Sequence, residues 1–115
     1  INNEIPSKTI YEDKYVKAFL DVNPDSVGHT LVVPKKHIKD INDLDDDTLK
    51  HLFDAMKKIN IILYKTFKFD GLKVVQNNGI IQEVKHFHIH MLPIYKERHL
   101  NLTVDETYDL IKKEQ

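Results

Sequence analysis

The segment Lys85-His86-Phe87-His88-Ile89-His90-Met91-Leu92-Pro93 concentrates the residue types most able to react. On a β-strand successive side chains alternate between faces, so His86, His88 and His90 share one face while Phe87, Ile89 and Met91 share the other. One face packs and the other can react. At a rise of about 3.3 Å per residue, neighbouring histidines stand roughly 6.6 Å apart and the outer two roughly 13 Å apart. Zinc takes its nitrogens at about 2.0 to 2.1 Å, a geometry that two converging histidines reach but three in a straight row hardly can. The row better suits a line of polar groups that tracks a phosphate and the bond broken at it. The middle imidazole is then aimed at phosphorus, and its neighbours hold oxygens or the leaving group. Neutral imidazole is a good nucleophile near pH 7, and it is activated when its other nitrogen donates to a backbone carbonyl that fixes the tautomer.

Elements that could hold such a row are legible around it. Thr9–Glu12 and residues 15–21 are β-rich runs separated by Asp13-Lys14, a two-residue gap that predicts a hairpin. Asn23-Pro24-Asp25 signals a turn, after which residues 28–33 read as a third strand stopped by Pro34. From Leu49 the apolar residues Leu52, Phe53, Met56, Ile59, Leu63 and Phe67 recur at steps of three and four, the period of a helix. Asp45, Asp46, Asp47 and Thr48 supply its cap, and Asp70-Gly71 is expected to end it. Residues 72–76 and 87–95 read as two more strands and 105–113 as a short C-terminal helix. Strands in two groups around one long helix predict an antiparallel α+β domain rather than a βαβ repeat.

Length and charge narrow the classes. The chain has 115 residues, 41% apolar and 30% charged, with no repeat or linker, so residues 1–115 read as a single domain with an ordinary core. Seventeen Lys and Arg against eighteen Asp and Glu lack the electrostatic footprint of a protein that grips long nucleic acids, while a small phosphorylated ligand remains allowed. With no cysteine, neither disulfides nor thiolate zinc sites are available within these residues. The absence of an 18-residue apolar window or a signal-like start predicts a cytoplasmic protein without a membrane partner.

His-Phe-His-Ile-His-Met-Leu, preceded by Gln82-Glu83-Val84-Lys85 and followed by Pro93, resembles the signature of the histidine-triad (HIT) superfamily. Other stretches match it in order: residues 4–8, the run Ala18-Phe19-Leu20-Asp21-Val22-Asn23-Pro24, residues 28–37, and Val75-Gln76-Asn77-Asn78-Gly79. The branch most similar is the Hint-like one. The resemblance implies a HIT-like antiparallel sheet of about five strands with one long and one short C-terminal helix, and a homodimer whose sheets join across the interface. The long helix and residues 72–76 correspond to the interface elements. The implied activity is hydrolysis of purine nucleoside 5'-phosphoramidates, such as adenosine 5'-monophosphoramidate, through a covalent nucleotidyl-histidine that water then cleaves to the nucleoside monophosphate.

Residue by residue, the resemblance makes His88 the nucleophile. His90 binds phosphate and assists the leaving group, His86 supports His88, and His29 stands at the fourth histidine position close to the triad. Asp21 stands where a carboxylate accepts from the ribose hydroxyls; Phe19, Leu20 and Val22 match the lining of the purine pocket. Asn77 matches a polar residue at the ribose or phosphate end, and Gln82 a glutamine whose side chain or neighbouring backbone faces the phosphate. Departures from the pattern are visible. The stretch Gly79-Ile80-Ile81-Gln82 is short and lacks the usual Ala-Gly. Glu83 replaces a frequent serine beside the leaving group, and Lys85 resembles the fragile-histidine-triad branch, which cleaves dinucleoside polyphosphates. Members with a Cys-x-x-Cys segment ahead of residues 1–6 bind zinc there with histidines at positions such as His37 and His86. No such segment is in this sequence, so the expectation is no metal and no cofactor, zinc entering only if an N-terminal cysteine segment is missing. His37 is expected to be a surface or structural residue. Alternatives are dinucleoside polyphosphate hydrolysis, a purine-nucleotide-binding protein with little turnover, and a metal-binding strand.

Overall fold

Two alternating runs early in the chain pair as an antiparallel hairpin, β1 (Thr9–Glu12) and β2 (Val16–Leu20). The Asp13 carboxylate accepts the N–H groups of both Tyr15 and Val16 at 2.8 Å, and the Asp13 N–H reaches the Val16 carbonyl at 2.9 Å. That side-chain turn takes Tyr15 out of the strand, so the loop is one residue longer than the expected two. The computed structural model describes residues 8–97 and 100–115; the matching stretch 4–7 and His99 lie outside the described residues.

β3 (Thr30–Pro34) pairs antiparallel with β2. It begins two residues later than expected because Gly28 turns the chain with φ +90°, a left-handed conformation, where a Cβ would stand 3.2 Å from Pro93 Cγ. Pro34 is inside the strand as its last residue, opposite Val16, an end position at which a missing N–H is tolerated.

α1 (Asp46–Phe67) is capped by Asp45, which accepts the Thr48 N–H and hydroxyl. Its fully buried stripe includes Leu52, Ile59 and Leu63, as the periodicity predicts, together with Ala55, whereas Leu49 and Phe53 of the expected run are exposed. The helix ends earlier than Asp70-Gly71: Lys68 takes the left-handed cap with φ 50°, and the Asp70 N–H already reaches the Ile94 carbonyl at 2.9 Å. Gly71 opens β4 (Gly71–Gln76), which pairs antiparallel with β5 (Ile89–Ile94). α2 (Val104–Glu114) starts on a reciprocal cap between Thr103 and Glu106 and buries Ile111 and Thr107.

The five strands form one antiparallel sheet in the order β1-β2-β3-β5-β4, which bears out the α+β expectation. Val16, Ala18 and Leu20 of β2, Val32 of β3, and Ile89 and Met91 of β5 belong to the core shared with α1. Directly paired residues share a face. The opposite face therefore carries the cross-strand row Phe19, Leu31, His90 and Val75, each paired with the next across the sheet. A histidine enters this otherwise apolar row at its third position. No helix among the described residues is long and apolar enough to cross a membrane.

Candidate active site

β5 is shorter than the run 87–95, and this shapes the site. The Phe87 N–H turns to the Ile38 carbonyl at 2.7 Å, outside the sheet, so His86 and His88 precede the strand while His90 sits in it. Phe87 is buried and keeps the alternation of faces running through the lead-in.

Backbone carbonyls hold the first two histidines. The Pro34 carbonyl lies 3.2 Å from His86 Nε2, and the His86 carbonyl 2.8 Å from His88 Nδ1. A carbonyl only accepts, so the ring nitrogens in these contacts are the donors. His86 carries its proton on Nε2. His88 carries one on Nδ1, which leaves a lone pair on Nε2 of the neutral ring. The His88 and His90 rings meet edge to face with centroids 5.0 Å apart, closer than an ideal strand spacing implies. His88 is 7% exposed.

The other half of the cluster comes from far away in sequence. His29, 3% exposed, brings Nε2 to 2.9 Å from His90 Nδ1, and its own Nδ1 accepts the Asp25 N–H at 3.0 Å. Asp21 points one carboxylate oxygen at His29 Nε2, 3.6 Å away, and accepts the Asn23 N–H with the other. Burial lowers the pKa values of His29, His86 and His90 below the usual imidazole value. The Asp21 and Asp25 charges oppose this at His29 and His90, and the Pro34 carbonyl opposes it at His86.

Asp21, His29 and His90 offer ligand atoms within 4.8 Å of one another, dimensions that suit a metal ion. The protonation does not suit one. An N–H aimed at His29 Nδ1 leaves the neutral ring's proton on Nε2, the atom a metal would need bare. His37 is exposed, with its ring centroid 5.9 Å from that of His86.

The remaining expected residues are placed unequally. Phe19 lies in the row with His90, two strand spacings or roughly 10 Å away, and Val22 is exposed beyond it. Leu20 departs from the expectation: strand alternation turns it into the core, 4% exposed, away from Phe19. Asn77 is half-buried after β4, and its carbonyl accepts from the Gln76 amide. The Gln82 side chain is buried and donates to the Lys39 carbonyl at 2.6 Å, bracing the loop before the triad, so of the two expected contributors only its neighbouring backbone is left to face the phosphate. Glu83 is exposed, and Lys85 reaches the Gly79 carbonyl at 3.1 Å.

Four contributors escape a reading by residue type: the Asp25 amide, the Pro34 carbonyl, Leu31 and Val75. The first two act through backbone, whose use no side-chain pattern advertises. The last two become neighbours of His90 only through strand register.

Comparison with known proteins matches a HIT domain to residues 2–97. The chain is 49% identical over 98 residues to an uncharacterized HIT-like protein of Methanocaldococcus jannaschii, covering 84% of this chain and 75% of that protein. It is 41% identical over 100 residues to an adenosine 5'-monophosphoramidase of Saccharomyces cerevisiae, covering 85% of this chain and 61% of that protein. The crystal structure of a Hit-like protein of Bartonella henselae, described as involved in cell-cycle regulation, superposes with a TM-score of 0.86 at 38% identity, covering 98% of this chain and 90% of that one.

Proposed function

The chain belongs to the HIT domain family, and from that premise we propose that it hydrolyses purine nucleoside 5'-phosphoramidates through a nucleotidyl intermediate on His88. The observation that carries this reading is the His88 Nδ1–H bond to the His86 carbonyl, which leaves the Nε2 lone pair as the nucleophile. Nε2 attacks the α-phosphorus, the bond from phosphorus to the leaving nitrogen breaks, and water then attacks the intermediate to release the nucleoside monophosphate. Splitting one displacement into two replaces water by a better nucleophile in the first step and an amine by imidazole as leaving group in the second.

Phe19 and Val22 flank the space proposed for the purine, and the Asp21 carboxylate keeps lone pairs for the ribose hydroxyls beside it. The resemblance to the yeast adenosine 5'-monophosphoramidase supports the choice of leaving bond. Lys85 is engaged with the Gly79 carbonyl, so the feature that favours dinucleoside polyphosphates is occupied within the loop. The chemistry assigned to His88 runs on protein groups alone, and the reading includes neither metal nor cofactor. A homodimer in the cytoplasm belongs to the same proposal, supported by edge strand β4 with exposed Val74 and by exposed Phe53, Ile61 and Tyr64 on α1.

The test is a kcat/KM panel of adenosine and guanosine phosphoramidates against diadenosine polyphosphates, repeated with chelator. Preference for the phosphoramidates with unchanged rates in chelator is expected. Preference for the polyphosphates reassigns the substrate, and loss of activity to chelator removes the metal-free mechanism. Light scattering at micromolar concentration is expected to give twice the chain mass.

A further inference from the structure

The direction of each hydrogen bond around His29 and His90 can be followed from one fixed point. A backbone N–H has only one role, so the Asp25 amide donates to His29 Nδ1. The His29 proton is therefore on Nε2, where it faces two acceptors, His90 Nδ1 at 2.9 Å and an Asp21 carboxylate oxygen at 3.6 Å. That donor requires a lone pair on His90 Nδ1. His90 carries its proton on Nε2, the reverse of the pattern at His88, where Nε2 is bare.

We infer that His90 acts on the phosphoryl group as a neutral hydrogen-bond donor, held in that tautomer by His29 as a positioning residue, and that a departing amine takes its proton from solvent rather than from His90. This rests on the hydrolase reading for its chemistry, while the tautomers stand on the hydrogen bonds alone. Imidazolium at His90 needs a proton on Nδ1, which would meet the His29 proton head on. Imidazolium at His29 needs one on Nδ1, which would meet the Asp25 amide. The charged groups facing this pair are Asp21 and Asp25, with the His88 ring on the other side, and burial of both rings favours the neutral forms. A neutral imidazole N–H is far too weak an acid to give up its proton near pH 7, but it polarises a phosphoryl oxygen well.

The step balances without a protein acid. The His88 Nε2 lone pair forms the bond to phosphorus. The leaving nitrogen takes a proton from solvent before its bond to phosphorus breaks, so it departs as a neutral amine with the electron pair of that bond. His88 keeps its Nδ1–H, so the intermediate is a nucleotidyl-imidazolium whose charge faces the His86 carbonyl. Attack by a second water returns the electron pair to Nε2, and that water's proton passes to solvent.

Two measurements test this on the whole protein. In ¹⁵N-labelled protein at pH 7, long-range nitrogen–proton correlation spectra are expected to show Nε2 protonated and Nδ1 bare at both His29 and His90. His29→Phe is expected to let His90 populate both tautomers, and His29→Gln, which restores an N–H donor, to return it to one. An Nδ1–H or imidazolium at His90 in the unaltered protein would overturn the inference, whatever the activity. For the reaction, His90→Gln donates a hydrogen bond but cannot transfer a proton. It is expected to change kcat/KM by the same factor for a nucleoside phosphoramidate of a basic amine and for a nitrophenyl ester, whose leaving group needs no proton. A loss about 100-fold greater on the amine substrate is the signature of a general acid and would overturn the role. Failure of the unaltered protein to cleave either substrate removes the hydrolase reading and with it this role, while the spectra decide the tautomers separately.

Discussion

His88 and His90 are the same residue type, two positions apart on one face, and the fold gives their outward nitrogens opposite polarity. His88 rests on a backbone carbonyl two residues upstream, and that acceptor draws the ring proton inward, leaving Nε2 basic. His90 rests on His29, which rests on a backbone amide, and that donor pushes the ring proton outward, leaving Nε2 as a donor. What a histidine does at a phosphate is thus set by whether its chain of partners ends on a carbonyl or on an amide. On the proposed mechanism, a nucleophile and an electrophilic donor are built from one side chain at no cost in fixed charge, which suits a site where burial disfavours imidazolium.

The contrast between the two rings breaks most visibly at the nucleophile. His88→Asn is expected to lower kcat/KM by about 10⁴-fold or more while a nucleoside monophosphate still binds by calorimetry, and near-normal turnover would remove His88 from its role. His90→Ala should cost less, about 10²- to 10³-fold, the usual loss on deleting one preorganised donor. Equal losses in the two variants would mean that the two rings are not differentiated. Gly28→Ala addresses only the His29 half. With φ +90° and a Cβ placed 3.2 Å from Pro93, it should cost about 1 to 3 kcal/mol in denaturant unfolding. It should also disturb the His29 and His90 nitrogen signals more than those of His86 and His88.

The smallest expected effect is on pH. His29, His86 and His90 have folded pKa values below the unfolded value, so between those values the unfolded chain binds more protons than the folded one. Stability therefore rises with pH through this window. Tm is expected to be full above about pH 6.5 and to fall as the pH drops toward 5, ahead of the range in which Glu12, Asp45 and Asp54 protonate. A Tm that is flat from pH 7.5 to 5 would show that the cluster is not buried in the neutral state.

Much of the scaffold is legible in the amino-acid order, and the reasons are local. The helical period from Leu49 to Phe67 and the alternation on β2 are properties of neighbouring residues, while the reciprocal cap at Thr103 and Glu106, equally local, is not among the expected signals. Element ends are less legible. Lys68 rather than a glycine takes the left-handed cap, and Asp13 lengthens a hairpin loop through its side chain. The placement of Leu20 and Gln82 also follows from packing: one lies in the core under α1, and the other braces Lys39 across 43 residues of chain.

By itself the sequence determined that His88 and His90 stand on the same side of the chain, because alternation along an extended segment needs nothing beyond the chain's own geometry, whereas His86 lies in a bend ahead of the strand. It determined too that residues 1–115 supply no thiolate to this site, since none of them is cysteine. The polarity of each ring was decided only in the folded molecule. His86 meets the Pro34 carbonyl across 52 residues and His29 meets His90 across 61, and such contacts exist only once β3 lies beside β5. A neutral imidazole has two nearly equivalent places for its proton, and only a partner fixed in space chooses between them.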